Sequence, residues 1–426
     1  MGTVGGGTAT VLKRNAVEIQ RKLGCAIKVT HAAGLGIAEQ TIVDPDEVKL
    51  TEDAFEVVND PEVDVVVELI GGYTLAKELV LKAIENGKHV VTANKALIAT
   101  HGPEIFQAAN AKGVNVAFEA AVAGGIPIIK AVREGLAANQ IDWIAGIING
   151  TGNFILTEMR DKGSDFSDVL KQAQALGYAE ADPTFDIEGI DAAHKLTILS
   201  SLAFGIELQF DKCYTEGISN VTTDDLKYAD ELGYRIKHLG ITRKTATGIE
   251  LRVHPTLIPE KRLIANVDGV MNAVLVHGDA VGPTLYYGAG AGAEPTASAV
   301  IADIIDTART IDAPVDQKVP ALGFQSDQMS DVSILPIEDV ETACYLRMTA
   351  LDKAGVLAEV TEVFAKHNIS IEAVLQKEPS AGTDKVHIIM LTQSVQEANM
   401  NAALSEVENF AEIEGSVARI RVEHLG

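Results

Sequence analysis

The segment from residue 173 to residue 195 holds the densest set of side chains that could do acid–base chemistry. Five acids precede Lys195 within it: Glu180, Asp182, Asp186, Glu188 and Asp191. Asp191 and Lys195 are four residues apart, so in a helix they share one face. A carboxylate beside a lysine keeps the ammonium charged and oriented, which suits proton transfer to an alkoxide. For this pair alone, a surface ion pair worth about 0.3–0.5 kcal/mol is the simpler interpretation.

A second lysine, Lys95, follows a predicted strand in the sequence Thr92-Ala93-Asn94-Lys95. Side chains at the carboxyl ends of parallel strands face the crevice in which α/β folds bind their ligands. A lysine there can hold a carboxylate, or exchange a proton if its surroundings lower its pKa. A solvated lysine at the start of a helix is the simpler interpretation of this tetrapeptide alone.

Two turns of small residues follow strands further along the chain. Residues 119–127 (EAAVAGGIP) place one acid, Glu119, among backbone carbonyls, a set of ligands suited to a hard monovalent cation. Unaided, this segment is better interpreted as a tight turn before a helix at Pro127. Residues 149–153 (NGTGN) offer glycines and amides that can bind a polar substrate, or equally cap a helix.

The amino-terminal segment is rich in glycine: Gly2, Gly5, Gly6 and Gly7 come directly before a predicted helix. Such a turn lets backbone N–H groups approach a pyrophosphate at the helix N-terminus. A complete dinucleotide fingerprint needs a preceding strand and G-x-G-x-x-G spacing, which this sequence lacks. The next strand ends in residues 32–36 (AAGLG), which offer neither an acid for a ribose 2′-hydroxyl nor a base for a 2′-phosphate. The sequence therefore leaves the choice of nicotinamide cofactor open.

Alternating helices and strands over the first 150 residues must position these groups. Helices are predicted at 8–23, 74–86, 103–112 and 127–138, and strands at 26–33, 63–70, 89–93 and 114–118. The β-branched run from Val63 to Ile70 (VDVVVELI) is typical of a strand covered on both faces. Strands that alternate with helices of this length predict an α/β fold with a doubly wound parallel sheet of the Rossmann type.

The rest of the chain has a different pattern. Helices are predicted at 153–161, 165–176 and 188–204, and strands that look antiparallel at 249–253, 262–268 and 272–278. This order predicts an α+β domain, followed by a helix at 295–311. Residues 343–423 then show the order strand, helix, strand, strand, helix, strand, which predicts a ferredoxin-like βαββαβ domain able to fold alone.

Composition disfavours several classes of function. The 426 residues include 60 Asp and Glu against 35 Lys and Arg, and the net charge of −25 disfavours binding to nucleic acid or to a membrane surface. We expect no membrane span and no signal peptide. The three cysteines are far apart, which argues against a disulfide framework and fits a reducing cytoplasm. No zinc or calcium motif is present.

The 173–195 segment resembles the signature of the homoserine dehydrogenase family at every fixed position. The pattern is A-x3-G-Y-A-x2-D-P-x2-D-I-x-G-x-D-x3-K, from Ala173 to Lys195. The TANK segment, the EAAVAGGIP turn and the NGTxN loop also resemble that family, in the same order, so the similarity covers about residues 2–320. The last segment resembles an ACT domain in residues 351–357 (LDKAGVL) and in Asn368-Ile369.

The resemblance implies NAD(P)-dependent interconversion of L-homoserine and L-aspartate 4-semialdehyde. It implies that Lys195 is the acid and base on the terminal oxygen of the substrate, that Asp191 orients Lys195, and that Lys95 lies between nicotinamide and substrate. The implied substrate-binding residues are Thr151, Tyr178, Glu180, Asp186 and Lys195. The implied cofactor-binding residues, for NADP or NAD, are Gly2, Thr3, Val4, Gly5, Thr92, Lys95, Gly290 and Gly292. A sodium ion would be held by Glu119 and by the backbone of Val122, Gly124 and Ile126.

The resemblance also implies a division into domains and a regulatory role for the last one. We expect a dinucleotide-binding domain at 1–138, completed by 295–320, a substrate-binding and oligomerisation domain at 139–294, and an ACT regulatory domain at 343–426. Threonine would bind near Asp352, Gly355 and Asn368 and lower the activity. The enzyme would be a cytoplasmic homodimer or homotetramer in the synthesis of threonine, methionine and isoleucine.

Two departures from the family pattern bear on these expectations. Chains of the family normally start with a strand and a further glycine that this sequence lacks, which predicts a truncated start and a sheet without one inner strand. The arginine often found after the second strand is replaced by Ala-Gly-Leu-Gly, so the resemblance carries no preference between NADP and NAD.

Two alternative functions remain open at this point. A catalytically inactive amino-acid sensor with an ACT domain would be consistent with the missing strand, but the intact 173–195 pattern argues against decay. A semialdehyde dehydrogenase that forms a thioester needs a nucleophilic cysteine in a loop, and Cys25 and Cys213 have no such setting. For Lys195 we expect an exposed or cleft position, so that its replacement would cost turnover but little stability.

Overall fold

The computed structural model describes residues 1–314, 317–379 and 384–426, and the chain divides into two compact units. The first unit comprises Met1–Gly150, Asp191–Cys213 and Val270–Val332. The second comprises Thr151–Ile190, Tyr214–Gly269 and Ser333–Gly426. Among the helices of the described residues, none combines the length and the apolar character that crossing a membrane requires.

Up to residue 149 the helices and strands are α1 (Thr3–Arg14), α2 (Ala16–Leu23), β1 (His31–Ala33), β2 (Lys49–Thr51), α3 (Ala54–Asn59), β3 (Val65–Glu68), α4 (Thr74–Glu85), β4 (His89–Thr92), α5 (Lys95–Lys112), β5 (Val116–Ala117), α6 (Ile128–Lys130) and β6 (Ile141–Ile147). From residue 150 they are α7 (Gly150–Lys162), α8 (Phe166–Ala175), α9 (Thr184–Ile187), α10 (Ile190–Phe204), β7 (Tyr214–Thr215), α11 (Thr223–Glu231), β8 (Tyr234–Lys244), β9 (Ile249–Pro259), β10 (Met271–Gly278), β11 (Gly282–Ala289) and α12 (Ala293–Arg309). The C-terminal segment contains β12 (Glu341–Leu351), α13 (Val356–Lys366), β13 (Ile371–Gln376), β14 (Lys385–Thr392), β15 (Val395–Gln396), α14 (Glu397–Val407) and β16 (Ile413–Val422).

The parallel strands of the first unit form two sheets. β1 pairs with β2, and β4 lies between β3 and β5. β-Branched residues favour short buried strands of this kind, as in VVVE of β3 and HVVT of β4. Val300 and Ile304 of α12 pack in one core with Val65 and Val91 of these strands, and α12 also packs against α1. The predicted parallel α/β fold is confirmed, and the late helix α12 belongs to it.

The remaining strands of the first unit form an antiparallel sheet. β10 lies in its centre, between β6 and β11, and Ala273 of β10 stands opposite both Ile147 and Tyr287. Ala273, Val274 and Val276 are completely buried. β10 is therefore the core strand of this sheet.

One mixed sheet in the second unit continues from the middle of the chain into the C-terminal segment. Its order is β8–β9–β16–β12–β14–β13, and all neighbours are antiparallel except β9 and β16. On one face, Phe364 of α13 and Met400 of α14 cover the C-terminal strands. On the other face, Tyr345 of β12 shares a core with Ile155 of α7 and Leu226 of α11. The predicted βαββαβ domain is confirmed, and its sheet is buried on both faces.

A buried acid, Asp225, ties α11 to β12. Its carboxylate is 1% exposed and accepts hydrogen bonds from Arg347 Nε (2.7 Å) and from the Tyr345 hydroxyl (3.1 Å). Thr222 and Asp225 also form a capping box at the start of α11. Burial alone would raise the pKa of the Asp225 carboxyl, but the hydrogen bonds and charge of Arg347 hold it below its ordinary value.

Three predicted elements differ in the structure for local reasons. The helix predicted at 8–23 begins at Thr3 and is interrupted at Asn15, where φ is −103° and ψ is 14°. The helix predicted at 127–138 is limited to α6 and one π-helical turn at 131–135. The strand predicted at 262–268 is a 3-10 turn, because the Asn266 amide donates to the backbone carbonyls of Glu260 and Arg262.

Other elements were not predicted. β8 is buried along most of its length although it contains Lys237 and His238, and these polar residues conceal the apolar pattern of a core strand. β11 and α11 were also missed, and α5 begins at Lys95 rather than at residue 103, with Pro103 inside it. Tertiary contacts outweigh local propensity in β8 and α5.

Replacing Asp225 by alanine should lower the free energy of unfolding by about 3–5 kcal/mol, because Arg347 would lose the partner of its partly buried charge. Urea unfolding followed by circular dichroism measures this loss. Since the pKa of Asp225 is depressed in the folded protein, its contribution is present at neutral pH and is lost as the pH falls below about 4.

The neighbouring variant Asp224→Ala is the matched control, because the Asp224 side chain is 48% exposed and lies 3.6 Å from Lys227. It should change the free energy of unfolding by less than about 0.5 kcal/mol. An equally small change in Asp225→Ala would contradict the role given to this carboxylate.

Candidate active site

Asp191 and Lys195 lie one turn apart on α10, buried side by side. Asp191 is 3% exposed and Lys195 is 9% exposed. The Lys195 ammonium donates to Asp191 Oδ2 (2.6 Å) and to the backbone carbonyl of Ile148, directly after β6 (2.7 Å). The expectation of an exposed or cleft lysine is therefore wrong, as is the simpler interpretation as a surface ion pair. The reason is that every residue of α10 from Asp191 to Ala203 is buried.

Lys95 lies against the other oxygen of the same carboxylate. Its ammonium is 2.9 Å from Asp191 Oδ1, and Asn149 Nδ2 donates to Asp191 Oδ2 (2.8 Å). The Asn94 side chain accepts a hydrogen bond from the N–H of Leu97 and so caps the N-terminus of α5, whose first residue is Lys95. Residues from α5, from the end of β6 and from α10 thus converge on one carboxylate, and the roles that the resemblance implies for Lys95, Asp191 and Lys195 stay predictions.

The charges of this cluster determine the protonation of its members. Burial alone would raise the pKa of the Asp191 carboxyl, but the charges of Lys195 and Lys95 hold it far below its ordinary range. Burial lowers the pKa of His194 to about 4, and its ring stacks on Phe210 with centroids 4.0 Å apart. At neutral pH the carboxylate is ionised and the imidazole beside it is neutral.

This arrangement can hold a proton on a lysine at a defined point. A buried carboxylate in contact with two lysines fixes the positions of both nitrogens, because charge-assisted hydrogen bonds are short and strong. An ammonium group held in a site poor in water can donate its proton to an oxygen that develops negative charge. The cluster therefore suits the reduction of a carbonyl or the oxidation of an alcohol.

The loop before Lys95 is held by Glu68, a residue that the sequence analysis missed. Glu68 is 4% exposed at the end of β3 and accepts the Thr92 hydroxyl (2.6 Å) and the N–H of Ile70 (2.8 Å). Thr92 Oγ1 in turn accepts the N–H of Asn94 (2.9 Å). Thr92 is completely buried, so its hydroxyl serves the loop, and its contact with a cofactor stays a prediction. The signal that was missed is an acid at the end of a buried β-branched strand.

The glycine-rich start of the chain borders a cavity of about 440 Å³. Gly2 and Thr3, at the start of α1, line this cavity together with Ile42 and with Ala293 of α12. A Cβ on Gly7 would lie 2.5 Å from the carbonyl oxygen of Ala293, so glycine permits the close contact of the two helices.

The position of these glycines corrects one prediction. Gly5, Gly6 and Gly7 lie inside α1 and not in a turn before the helix. Gly2 precedes the helix with an extended backbone. Binding of a cofactor by Gly2, Thr3, Val4 and Gly5 stays a prediction, and the cavity at the start of α1 is compatible with it.

Gly290 and Gly292 lie between β11 and α12, against the turn formed by residues 119–127. A Cβ on Gly124 would lie 2.4 Å from the carbonyl oxygen of Gly290. A Cβ on Gly290 would lie 1.8 Å from Asn272 Oδ1, a side chain that is 1% exposed. The structure therefore brings together the segment predicted to contact the cofactor and the segment predicted to hold sodium.

Glu119 anchors this turn from inside the first unit. Its carboxylate, 3% exposed, accepts the N–H groups of Ile129 and Lys130, both at 2.8 Å, and its own N–H donates to Asp303 of α12 (2.7 Å). Burial raises the pKa of Glu119 to about 7, and burial together with the charge of Glu119 raises the pKa of Asp303 to about 7. Ionisation of these two neighbouring carboxyl groups is unfavourable, and a bound cation would stabilise their ionised forms. The sequence analysis did not predict a role for Asp303, although an acid on the apolar face of a predicted helix could have indicated one.

The backbone atoms predicted to complete the sodium site belong to the same turn. Val122 and Ile126 are buried, and the chain takes the left-handed conformation at Ala123 (φ 54°) and Gly124 (φ 43°). These two residues let the backbone turn sharply before α6. Coordination by the carbonyls of Val122, Gly124 and Ile126 stays a prediction.

The predicted substrate residues Thr151, Tyr178, Glu180 and Asp186 lie in the second unit. The Thr151 hydroxyl donates to the backbone carbonyl of Tyr178 (2.7 Å), and the Tyr178 ring meets Phe154 edge to face at 5.1 Å. Glu180 is exposed and Asp186, on α9, is half-buried. The structure thus brings Thr151 and Tyr178 together, and it places both acids outside the core.

The residues predicted to bind an effector are not adjacent within one chain. Gly355 (φ 105°) precedes α13, close to Asp352, whereas Asn368 (φ 59°) follows the other end of the helix. An α-helix of the length of α13 spans about 16 Å. Binding of threonine near Asp352, Gly355 and Asn368 stays a prediction, and within one chain Asn368 lies at the opposite end of α13 from Gly355.

Family models match three successive parts of the chain. The model described as homoserine dehydrogenase, NAD binding domain, matches residues 1–119, and the model described as homoserine dehydrogenase matches residues 127–305. The model described as ACT domain matches residues 345–412.

Whole-chain relatives point the same way. A homoserine dehydrogenase of Pseudomonas aeruginosa is 63% identical over 425 residues, which cover 100% of this chain and 98% of the relative. That of Neisseria gonorrhoeae is 58% identical, with 100% and 97% covered.

Solved structures agree with these relatives. The crystal structure of a homoserine dehydrogenase from Thiobacillus denitrificans is 63% identical, with a TM-score of 0.95 over 100% of this chain and 97% of that one. A hyperthermophilic archaeal homoserine dehydrogenase mutant, solved in complex with NADPH, is 27% identical, with a TM-score of 0.62 over 74% of this chain and 96% of that one. The chain therefore belongs to the homoserine dehydrogenase family, with an NAD-binding part at its start and an ACT domain at its end.

Proposed function

We propose that Lys195 is the general acid and base of this homoserine dehydrogenase, positioned by Asp191 and flanked by Lys95. As a member of its family the enzyme interconverts L-homoserine and L-aspartate 4-semialdehyde with NAD or NADP, within amino-acid biosynthesis. The observation that carries the assignment of roles is the Asp191 carboxylate, which lies 2.6 Å from one lysine nitrogen and 2.9 Å from the other.

The nicotinamide, when bound, supplies or accepts the hydride at the substrate carbon. In the direction of reduction, Lys195 gives its proton to the aldehyde oxygen as that oxygen gains negative charge, and the product is the hydroxyl of homoserine. In the direction of oxidation, Lys195 takes the hydroxyl proton. Asp191 keeps the lysine in place for both directions, since its own carboxyl stays ionised.

The proposed contacts with substrate and cofactor are those that the family resemblance implies. Glu180 and Asp186 bind the ammonium group of homoserine, and Thr151 and Tyr178 also contact the substrate. The Thr151 hydroxyl donates a hydrogen bond to the backbone carbonyl of Tyr178. The cofactor lies along the start of α1 and the Thr92–Lys95 loop and is bounded by Gly290 and Gly292. A Cβ on Gly290 would collide with the Asn272 side chain, and Gly292 has a φ of 124°, so both positions favour glycine. The domain division is 1–138 with 295–320, 139–294 and 343–426, and the packing of α12 on the parallel strands supports the assignment of 295–320 to the first domain.

A sodium ion bound by Glu119 and by the carbonyls of Val122, Gly124 and Ile126 completes this proposal. The donor set fits a hard cation, because Glu119 supplies a buried carboxylate beside the backbone carbonyls of the 119–127 turn, and a second buried acid, Asp303, accepts the Glu119 N–H at 2.7 Å. Sodium would offset the negative charge of these acids and hold the turn that contacts Gly290.

The C-terminal domain is proposed to sense threonine. Because Gly355 and Asn368 lie at opposite ends of α13, we place the threonine site between two copies of the domain. One copy contributes the end with Asp352 and Gly355, and the other contributes Asn368. This arrangement requires a homodimer or homotetramer. The location is the cytoplasm, where a biosynthetic oxidoreductase meets the pool of nicotinamide cofactors.

The alternative functions are not favoured. An inactive sensor is not expected to retain a buried cluster of two lysines on one carboxylate, and relatives over the whole chain are homoserine dehydrogenases. A thioester mechanism has no support at Cys344, because burial raises the pKa of its thiol to about 11.

Replacing Lys195 by alanine should lower kcat by about 10²–10⁴-fold, the range for loss of a general acid or base. Because Lys195 is buried and paired, we also expect the free energy of unfolding to fall by about 1–3 kcal/mol. This loss is larger than the one expected from the sequence alone. Reduction of NAD or NADP by homoserine, followed by absorbance, measures the first effect, and thermal unfolding measures the second.

Lys171→Ala removes an exposed lysine that pairs with Asp168, and it is the control for both measurements. It should leave kcat and stability unchanged. Normal turnover by a folded Lys195→Ala enzyme would remove Lys195 from the mechanism.

Sodium should raise the thermal midpoint of the protein relative to choline at the same chloride concentration, because it binds the folded state only. Glu119→Gln should abolish this difference. Glu104→Gln, at an exposed position of α5, should retain it. Equal sodium dependence in Glu119→Gln and in the unchanged protein would contradict the site.

Threonine at saturating concentration should lower the rate of homoserine oxidation and raise the thermal midpoint. Asp352→Ala should weaken both effects, whereas Glu359→Ala, on the exposed side of α13, should not. If threonine changed neither the rate nor the midpoint, the regulatory proposal would be abandoned.

A further inference from the structure

The turn that follows β1 has a carboxylate bound to its backbone. The N–H of Gly36 donates to Glu52 Oε1 (3.0 Å), and the N–H of Gly34 donates to the carbonyl of Thr51 (3.1 Å). Gly36 has a φ of 63°, a left-handed conformation that glycine adopts without strain. Glu52 directly follows β2, the parallel neighbour of β1, so its acid lies at the carboxyl end of β1.

This end of β1 is where a doubly wound fold meets the ribose of the adenosine. In such folds an acid at the end of the strand after the cofactor helix binds the ribose 2′-hydroxyl, and an arginine nearby accommodates a 2′-phosphate. β1 is the first strand after α1 and α2. The segment that follows β1 also reaches the cavity beside α1, because Ile42 lines that cavity together with Gly2 and Thr3.

The charges around this turn are predominantly negative. Residues 31–52 contain five acids and one lysine, Lys49, which lies 3.8 Å from Glu56. Arg14 of α1 binds Glu294, at the rim of the cavity, through two hydrogen bonds of 2.8 Å. Both of these cations already have carboxylate partners.

We propose that Glu52 and the uncharged turn Gly34–Gly36 make this enzyme select NAD over NADP. The proposal deepens the proposed function, since it rests on the placement of the cofactor along α1. The Glu52 carboxylate accepts the ribose 2′-hydroxyl, whereas a 2′-phosphate would bring about two further negative charges against it. Leu35, at the tip of the turn and 93% exposed, offers no hydrogen-bond donor to a phosphate.

The test measures binding at the ribose end separately from the chemistry. ADP-ribose and 2′-phospho-ADP-ribose lack the nicotinamide and differ only in the phosphate. Isothermal titration calorimetry with each should show ADP-ribose bound at least about tenfold more tightly, as one like-charge contact in a partly exposed site would produce. The ratio of kcat/KM for homoserine oxidation with NAD and with NADP should favour NAD in the same sense.

Two variants assign the selectivity to this turn. Leu35→Arg should tighten binding of 2′-phospho-ADP-ribose and reduce the ratio of the two dissociation constants about tenfold. Glu52→Gln keeps an oxygen for the N–H of Gly36 but removes the charge, and it should also reduce the ratio. Leu263→Arg places the same charge at a position that is 76% exposed in the second unit, and it should leave the ratio unchanged.

The possible outcomes separate this inference from the proposed function. Equal or tighter binding of 2′-phospho-ADP-ribose by the unchanged protein would overturn the selectivity, as would an unchanged ratio in both Leu35→Arg and Glu52→Gln. Failure to bind either probe would overturn the placement of the ribose at this turn. Homoserine oxidation with a preference for NADP would keep the proposed function and reject the inference. Selective binding of ADP-ribose without homoserine oxidation would support the inference and reject the proposed function.

Discussion

The arrangement of α5, β6 and α10 in the first unit depends on the buried carboxylate of Asp191. A buried charge is costly unless it is paired and hydrogen-bonded, and this one is in contact with Lys195, Lys95 and Asn149. Those partners come from α10, from the start of α5 and from the end of β6, so the three elements must meet at one place for the charge to be tolerated. The same requirement that stabilises the fold also sets the distance between the two lysines, which is why structure and chemistry are coupled here.

Close backbone contacts likewise hold together the elements around the predicted cofactor position. Gly7 touches the carbonyl of Ala293, and Gly124 touches that of Gly290, at distances that no Cβ would allow. These contacts bring the start of α1, the 119–127 turn and the start of α12 together around the predicted cofactor and sodium positions. A side chain at any of these glycines would separate the elements, and the geometry of the site would change with them.

The second unit joins the ACT domain to α7, the helix that contains the proposed substrate residue Thr151. Tyr345 of the ACT domain shares a core with Ile155 of α7, the helix that contains Thr151, and Arg347 binds the buried Asp225. A ligand that orders the ACT domain therefore acts on a core that α7 also uses. If the ACT domain binds an effector as proposed, this shared core would be the physical route to α7, because packed interiors transmit small shifts.

Periodicity and motif spacing in the sequence were sufficient to predict the parallel strands, the βαββαβ domain and the pairing of Asp191 with Lys195, since each depends on residues near one another in the chain. The burial of Lys195, the contact of Lys95 with Asp191, the hydrogen bond between Thr92 and Glu68 and the contact of Glu119 with Asp303 could not be predicted. Each of these features depends on a contact between residues that are distant in sequence, and a local pattern carries no information on that contact. The sequence alone therefore determined which residue types are present and on which elements, whereas their protonation, burial and mutual distances follow from the tertiary fold, because only the fold brings distant charges together in a medium poor in water.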